Sequence, residues 1–238
     1  MKPPRARKKT TVIGVLGGIA AGKSRAAEVL AGPQGLVLAA DALAHEALAS
    51  PTVRAAILAA FGPEVFAPLA PAAPPAPSGP PGPPGQPGPP GQPGLPVGPV
   101  DRAALAQVVF ADPAARRQLE GWIHPWVRAR ISAALEEARS EGRPRVVLDV
   151  PLLLEHDAEH GLARACDHLV FVDVDAGTRD RRAVLTRGWQ PGEVARREAT
   201  QLPLSEKRRR ADVVVQNDGT PEDFEAALRA ALAELGLG

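Results

Sequence analysis

The sequence predicts an α/β fold built on a doubly wound, five-stranded parallel sheet. Three observations carry that prediction. Five short apolar, β-branched runs are separated by helical stretches, a glycine-rich turn joins the first run to the first helix, and strand, turn, helix and strand succeed one another within about 30 residues.

Thr11 to Leu16 is β-branched and apolar, as a strand covered on both faces requires. Gly17 to Ser24 is the turn, and Arg25 to Leu30 carries helix formers stopped by Gly32-Pro33. Gly35 to Ala40 is a second short strand ending at Asp41, which completes a βαβ unit with parallel strands. Ala42 to Phe66 reads as helical, and helical patterning resumes at Asp101 over Arg102 to Phe110, Pro113 to Trp122 and Pro125 to Arg139. Pro144 to Val150 and His168 to Val174 are strand-like. Gly177 to Arg210 is polar, arginine-rich and partly helical, Asp212 to Gln216 is the last strand, and Pro221 to Leu235 is a closing amphipathic helix. The expected organisation is one domain over 1–238, with a core of 11–41, 144–176 and 211–236, a helical, acceptor-binding subdomain over 42–143 and a lid over 177–210.

Residues 67–99 interrupt the helical subdomain. From Pro71 to Pro99 the chain is almost wholly Pro, Gly, Ala and Gln, with glycine at every third position from Gly79 to Gly94. Such a composition cannot bury a core or support regular hydrogen bonding. A semi-extended polyproline loop is the expected form. A collagen-like triple helix joining three chains is the alternative, disfavoured because the triplets are few and the next one carries Val97 in place of glycine.

Hydrophobic residues make up 45% of the 238-residue chain and charged residues 23%, as in ordinary globular proteins. The formal net charge of +1 argues against a protein that works by coating nucleic acid. Cys166 is the sole cysteine, which excludes an internal disulfide and a cysteine metal cluster, and it is expected as a small buried hydrophobe. The basic opening is followed by a short, glycine-broken apolar run unlike a signal peptide, and no run approaches the roughly 18 apolar residues of a membrane span. A cytoplasmic protein with neither nucleic-acid nor membrane partners is expected.

Gly17-Gly18-Ile19-Ala20-Ala21-Gly22-Lys23-Ser24 fits GxxxxGKS, the Walker A pattern. Its glycines let successive backbone N–H groups curl around a phosphate at a helix N-terminus. Lys23 reaches the β- and γ-phosphates of ATP, and the Ser24 hydroxyl ligates Mg2+. The chain has only five lysines, so one in this slot is informative. The sequence has no DxxG after a second strand and no guanine-reading NKxD, which argues against a GTPase switch, and it is too short for a ring ATPase with its extra lid domain. An acid at the tip of the second strand and a late arginine-rich segment suit a small-molecule kinase of the P-loop NTP hydrolase, nucleoside monophosphate kinase-like class, whose lid closes over ATP.

These residues resemble the dephospho-coenzyme A kinase family, which phosphorylates the ribose 3'-hydroxyl of dephospho-CoA as the last step of coenzyme A synthesis. The family's GLTGGIGSGKS is similar to Gly14 through Ser24, its VIDAD to Val37 through Asp41, and its PLL.E to Pro151 through Glu155. Its DR..L...VF.DP......L....HP is similar to Asp101-Arg102, Leu105, Val109-Phe110, Asp112-Pro113, Leu119 and His124-Pro125. The later arginines, Gln201, Lys207, Ala211-Asp212 and Asn217 follow in the family's order. Two positions depart from it. Ala39 stands where the family has the first acid of its DAD triplet, and Thr186 occupies the slot of the second lid arginine, with Arg187 one place later.

The resemblance implies a doubly wound P-loop fold with a helical acceptor-binding insert and a lid over 177–210, and ATP, Mg2+ and dephospho-CoA as ligands. It implies Asp41 as the base that takes the ribose hydroxyl's proton; an N-cap for the next helix is the competing account. Arg182, Arg187 and Arg196 would neutralise charge on the transferring phosphoryl group, against the alternative of a solvated helix face. Asp149 either holds magnesium through water or caps a turn. His124 and Glu155 belong to the acceptor side, where His124 contacts substrate or braces a helix start. Asn217 lies at the adenine pocket or in an Asn-Asp-Gly turn. A monomer is expected. The rival readings are another small-molecule P-loop kinase, acting on a nucleoside monophosphate, shikimate or a sugar acid, and a non-catalytic nucleotide-binding module assembled through the Pro-Gly segment.

Overall fold

Strand β1, Thr11–Gly17, fills the middle of the sheet, and its apolar run is buried from Val12 onward because helices cover both of its faces. The computed structural model describes residues 10–68, 98–155, 157 and 161–238. The other strands are β2 Leu36–Ala39, β3 Arg145–Asp149, β4 His168–Asp173 and β5 Val213–Gln216, in the order β2-β3-β1-β4-β5 with every pairing parallel. The expected five-stranded sheet is present, each strand within two residues of its expected ends.

Register sets the site. Ala39 of β2 lies opposite Asp149 of β3, and Gly17 of β1 lies opposite Val172 of β4. The carboxyl ends of all four strands therefore meet along one edge, where open α/β sheets bind ligands. Helix α1, Lys23–Ala31, and the last helix, Pro221–Glu234, pack Leu30, Phe224, Leu228 and Leu232 against Ile13, Val15 and Val215. The last helix opens on a capping box: Thr220 Oγ1 accepts from Asp223 N at 3.2 Å, and the Asp223 carboxylate accepts from Thr220 N at 3.1 Å. Cys166 is half-buried rather than fully buried. Desolvation still pushes its thiol up to about 12, so it carries no thiolate at neutral pH.

Helix α2 runs over Ala40–Ala47, α3 over Pro51–Phe61, α4 over Arg102–Ala111 and α5 over Pro113–Glu141. The single helical stretch expected over 42–66 is broken, with Pro51 opening α3 and Gly62 closing it before a 3-10 turn at Pro63–Val65. Conversely, the two helices expected on either side of His124 are one helix containing Pro125. The missing Pro125 N–H removes one intrahelical bond and leaves the rest of a 29-residue helix to hold the line.

Contacts divide the chain into two compact units, Met1–Leu43 with Arg128–Gly238, and Ala44–Val127. The second unit has its own core, in which Val53, Ile57, Val65, Phe66 and Leu105 are buried and the Phe61 and Trp122 rings pack tilted at 5.8 Å. Phe66 and Val100 form an antiparallel bridge, and Ala67 N donates to Pro99 O at 2.8 Å. The Pro-Gly triplets from Gly79 to Gly94 lie outside the described residues.

The arginine-rich segment folds as three helices in the first unit: α6 Ala176–Arg187, α7 Glu193–Glu198 and α8 Leu204–Arg209. The helix over Pro221–Glu234 is thus α9. No helix among the described residues is long and apolar enough to cross a membrane.

Candidate active site

The turn between β1 and α1 is shaped by backbone that few residues tolerate. Gly17 has φ 148°, Gly22 has φ 95°, and Ala20 between them has φ 59°, a left-handed conformation that costs a non-glycine residue about 1 kcal/mol or more. The turn delivers Lys23 as the first residue of α1, whose free N–H groups and dipole favour an anion. Lys23 Nζ donates to Gly18 O at 2.8 Å and to Gly17 O at 3.3 Å. Burial is the main cause that lowers its pKa; Lys207 and Arg187 add to it, while Asp149 and Glu198 oppose it. A group whose charged form is so disfavoured gains from a phosphate, which replaces lost hydration with an opposite charge. Without such an anion, Lys23 makes folding more favourable as pH rises through its lowered pKa toward 10.5.

On the β3 side of the turn, Ser24 Oγ donates to Asp149 Oδ2 at 2.7 Å, and Asp149 is buried at the end of its strand. Asp41 lies two residues past Ala39, the register partner of Asp149, so both carboxylates come to the same edge. Helix α2 begins at Ala40, so Asp41 is inside its first turn, exposed, and past the capping position. Among the described residues no group of three or more His, Cys, Asp or Glu could hold a metal. A hydroxyl against one buried carboxylate fits magnesium, which keeps several waters and takes its remaining ligands from substrate phosphates.

The β4–β5 side is basic. Arg182 Nη2 donates to Asn217 O at 2.9 Å, and the buried Asn217 donates Nδ2 to Ala21 O in the turn at 2.8 Å. Gly22 allows this approach: a Cβ there would lie 2.6 Å from Asn217 Nδ2. Asn217 thus braces the cradle itself, beyond closing the turn after β5. Arg187 lies over the Trp189 ring at 5.0 Å and Arg197 over the same ring at 4.2 Å. Arg196 is 74% exposed and makes a two-pronged pair with Glu193 on its own helix, 2.7 Å at each contact. Arg196, then Arg197, pulls the Glu193 carboxyl down to about 2.

Glu155 is paired with Lys207 at 2.6 Å and also accepts from Leu202 N at 3.2 Å. Lys207 is 2% exposed and reaches Gln201 Oε1 at 3.3 Å. His124 sits exposed on α5 within the unit Ala44–Val127. Three residues of this corner have no role that the sequence alone assigns: Arg179, Glu198 and Lys207. Lys207 carries a usable signal, as one of five lysines falling just before a strand. Arg179 and Glu198 carry none, because an arginine and a glutamate 19 positions apart in a polar segment look like solvated helix faces.

A phosphate cradle opening a helix, a serine on a strand-end carboxylate and an arginine-bearing helical segment after β4 define the P-loop kinase class. The family model for dephospho-CoA kinase matches residues 11–69 and 94–223. The dephospho-CoA kinase of Symbiobacterium thermophilum is 40% identical over 92% of this chain and 81% of its own. That of Geobacter sulfurreducens is 34% identical over 90% and 93%. In fold, the crystal structure of TT1252 from Thermus thermophilus superposes with a TM-score of 0.66 at 32% identity, covering 96% of this chain and 99% of that one. Dephospho-CoA kinase from Campylobacter jejuni, at 20% identity and a TM-score of 0.61, shares the fold. The chain belongs to the dephospho-CoA kinase family.

Proposed function

We propose that this chain transfers the γ-phosphoryl group of ATP to the ribose 3'-hydroxyl of dephospho-CoA, giving coenzyme A and ADP in the cytoplasm. The observation that carries it is the Ser24–Asp149 contact at the mouth of a lysine-bearing cradle, with Asp41 two residues past Ala39, the register partner of Asp149. Ser24, with Asp149 behind it, would hold magnesium, whose positive charge would offset that of the phosphates.

Asp41 takes the proton of the 3'-hydroxyl as that oxygen bonds to the γ-phosphorus. The bond from phosphorus to the ADP oxygen breaks, and its electron pair leaves with ADP. Lys23 and the cradle N–H groups hold the β-phosphate, while Arg182 and Arg187 bring positive charge to the transferring group. Arg182 is already placed beside the cradle through Asn217, and Arg187 lies close enough to lower the Lys23 pKa. Arg196 joins them only by leaving Glu193. His124 serves the acceptor side, and Glu155 does so by holding Lys207.

The test is ADP release by the full chain with ATP and Mg2+, with and without dephospho-CoA, and phosphorus NMR of the product. Acceptor-dependent ADP and a new 3'-monoester are expected. Equal rates with AMP, shikimate or gluconate, or none above the ATP-only background, would remove dephospho-CoA as the substrate. EDTA should abolish turnover, and full activity in EDTA would remove magnesium.

A further inference from the structure

The mechanism leaves one buried ion pair unused, and it touches the cradle. Glu198 Oε1 accepts the Ile19 N–H at 2.7 Å and pairs with Arg179 Nη1 at 2.5 Å. Arg179 is 5% exposed, and its Nε donates to Val174 O at 3.2 Å just past β4. Gly18 is what lets the pair reach the turn: a Cβ there would lie 2.6 Å from Arg179 Nη1 and 2.8 Å from Glu198 Oε1. We propose that Arg179 and Glu198 are positioning residues that preorganise the nucleotide cradle, with Glu198 pinning the Ile19 N–H so that Ala20 is held in its left-handed conformation.

The argument is one of strain and compensation. Ala20, immediately after Ile19, holds φ 59° without being glycine. Such a residue persists only where its surroundings over-determine it. A charge-assisted bond to the preceding N–H supplies that constraint, because it is roughly twice as strong as a neutral one. Arg179 keeps the carboxylate aimed while itself anchored to the end of β4. Glu198 closes helix α7, so the same bond ties the shape of the cradle to the helical segment after β4.

The proposal rests on reading Gly17–Ser24 as the nucleotide cradle, and nucleotide binding by the unaltered chain tests that reading separately. Calorimetric titration with ADP and Mg2+ needs no acceptor. No binding by the unaltered chain sinks the cradle and leaves the latch without a purpose. Given binding, Glu198→Gln, which preserves shape and removes charge, should weaken ADP about tenfold and leave the KM for dephospho-CoA within about twofold. The decisive measurement is a cycle with Ala20→Gly. Glycine adopts φ near 60° without penalty, so the loss caused by E198Q should shrink from about tenfold to less than about threefold when residue 20 is glycine. A merely structural pair would lower the melting temperature equally in both backgrounds and leave ADP affinity unchanged at 25 °C. That result, or an E198Q penalty as large in the A20G background as beside Ala20, overturns the proposal. Should E198Q not fold, the charge-free double variant R179M/E198Q, which leaves no unpaired buried ion, carries the same cycle.

Discussion

The two flanks of β1 carry opposite charge and hold it by different means. Toward β3 and β2 lie carboxylates, Asp149 and Asp41, placed by backbone: each stands at or just beyond a strand end, and register alone brings them together. Toward β4 and β5 lie cations, and tertiary contacts place them. Arg179 is held by Glu198, Arg182 by the Asn217 carbonyl, Arg187 by the Trp189 ring and Lys207 by Glu155. In the proposed reaction Asp149, with Ser24, would face a metal and Asp41 an acceptor hydroxyl. Arg179 and Lys207 stay in their pairs, whereas in the proposed reaction Arg182 and Arg187 would meet the triphosphate by exchanging partners rather than by presenting free charge.

The largest expected effect separates chemistry from binding on the acidic flank. Asp41→Asn keeps the shape and loses the base, and general-base removal costs a factor of about 10²–10⁴ in kcat. ADP affinity should stay within about twofold, since Asp41 lies in the first turn of α2 and not in the cradle. Single-turnover kinetics and calorimetry on one preparation check the split. An equal loss in both quantities would make Asp41 a structural residue and break the division of labour between the flanks.

That division also explains what the sequence discloses. Lys23, Ser24, Asp41 and Asp149 are legible because strand and turn patterns predict where backbone puts a residue, and the sheet edge collects them. The same patterns reveal the five strands, whose apolar runs are buried most fully in β1 and β3. They fail where context overrides local preference. Pro51 divides the stretch expected to be one helix, while Pro125 is carried inside a helix expected to start there. On the basic flank, position along the chain says little. Arg196 and Arg179 look alike in sequence, yet one is 74% exposed and the other 5%. Only tertiary packing distinguishes a surface pair from a buried one.

A smaller effect should appear on stability. Lys207 is 2% exposed and Glu155 14%, so Lys207→Met leaves a nearly buried carboxylate without its cation. Losing one partner of a buried pair costs about 3–5 kcal/mol. The remaining exposure of Glu155 and its Leu202 N–H favour the lower end, which for a chain of this size is a fall of roughly 6–12 °C in melting temperature. The double change K207M/E155L should recover most of it, since an apolar pair of similar volume needs no partner. Thermal denaturation of both variants checks this. A double variant no better than the single one would mean that Lys207 matters for more than its pairing.

The smallest effect belongs to Arg196, which sharpens the contrast within the basic flank. Its guanidinium is spent on Glu193, three residues earlier on an exposed helix surface, and pairs of that kind contribute little once water screens them. Glu193 keeps a second partner in Arg197 at 2.6 Å when Arg196 is removed. Arg196→Ala should therefore leave kcat and the KM for ATP within about twofold. A small acid-side signature should accompany it. With its pKa lowered from 4.5 to about 2, Glu193 contributes stability that is present above pH 4.5 and lost as pH falls through 2. Removing its principal cation raises the folded-state pKa, narrows that window from below and moves the loss toward pH 4.5. Steady-state kinetics at neutral pH and denaturation between about pH 2 and 5 measure the two parts independently. A rise of about tenfold or more in the KM for ATP would show that Arg196 abandons Glu193 for the triphosphate, and would extend the exchange of partners from Arg182 and Arg187 to Arg196.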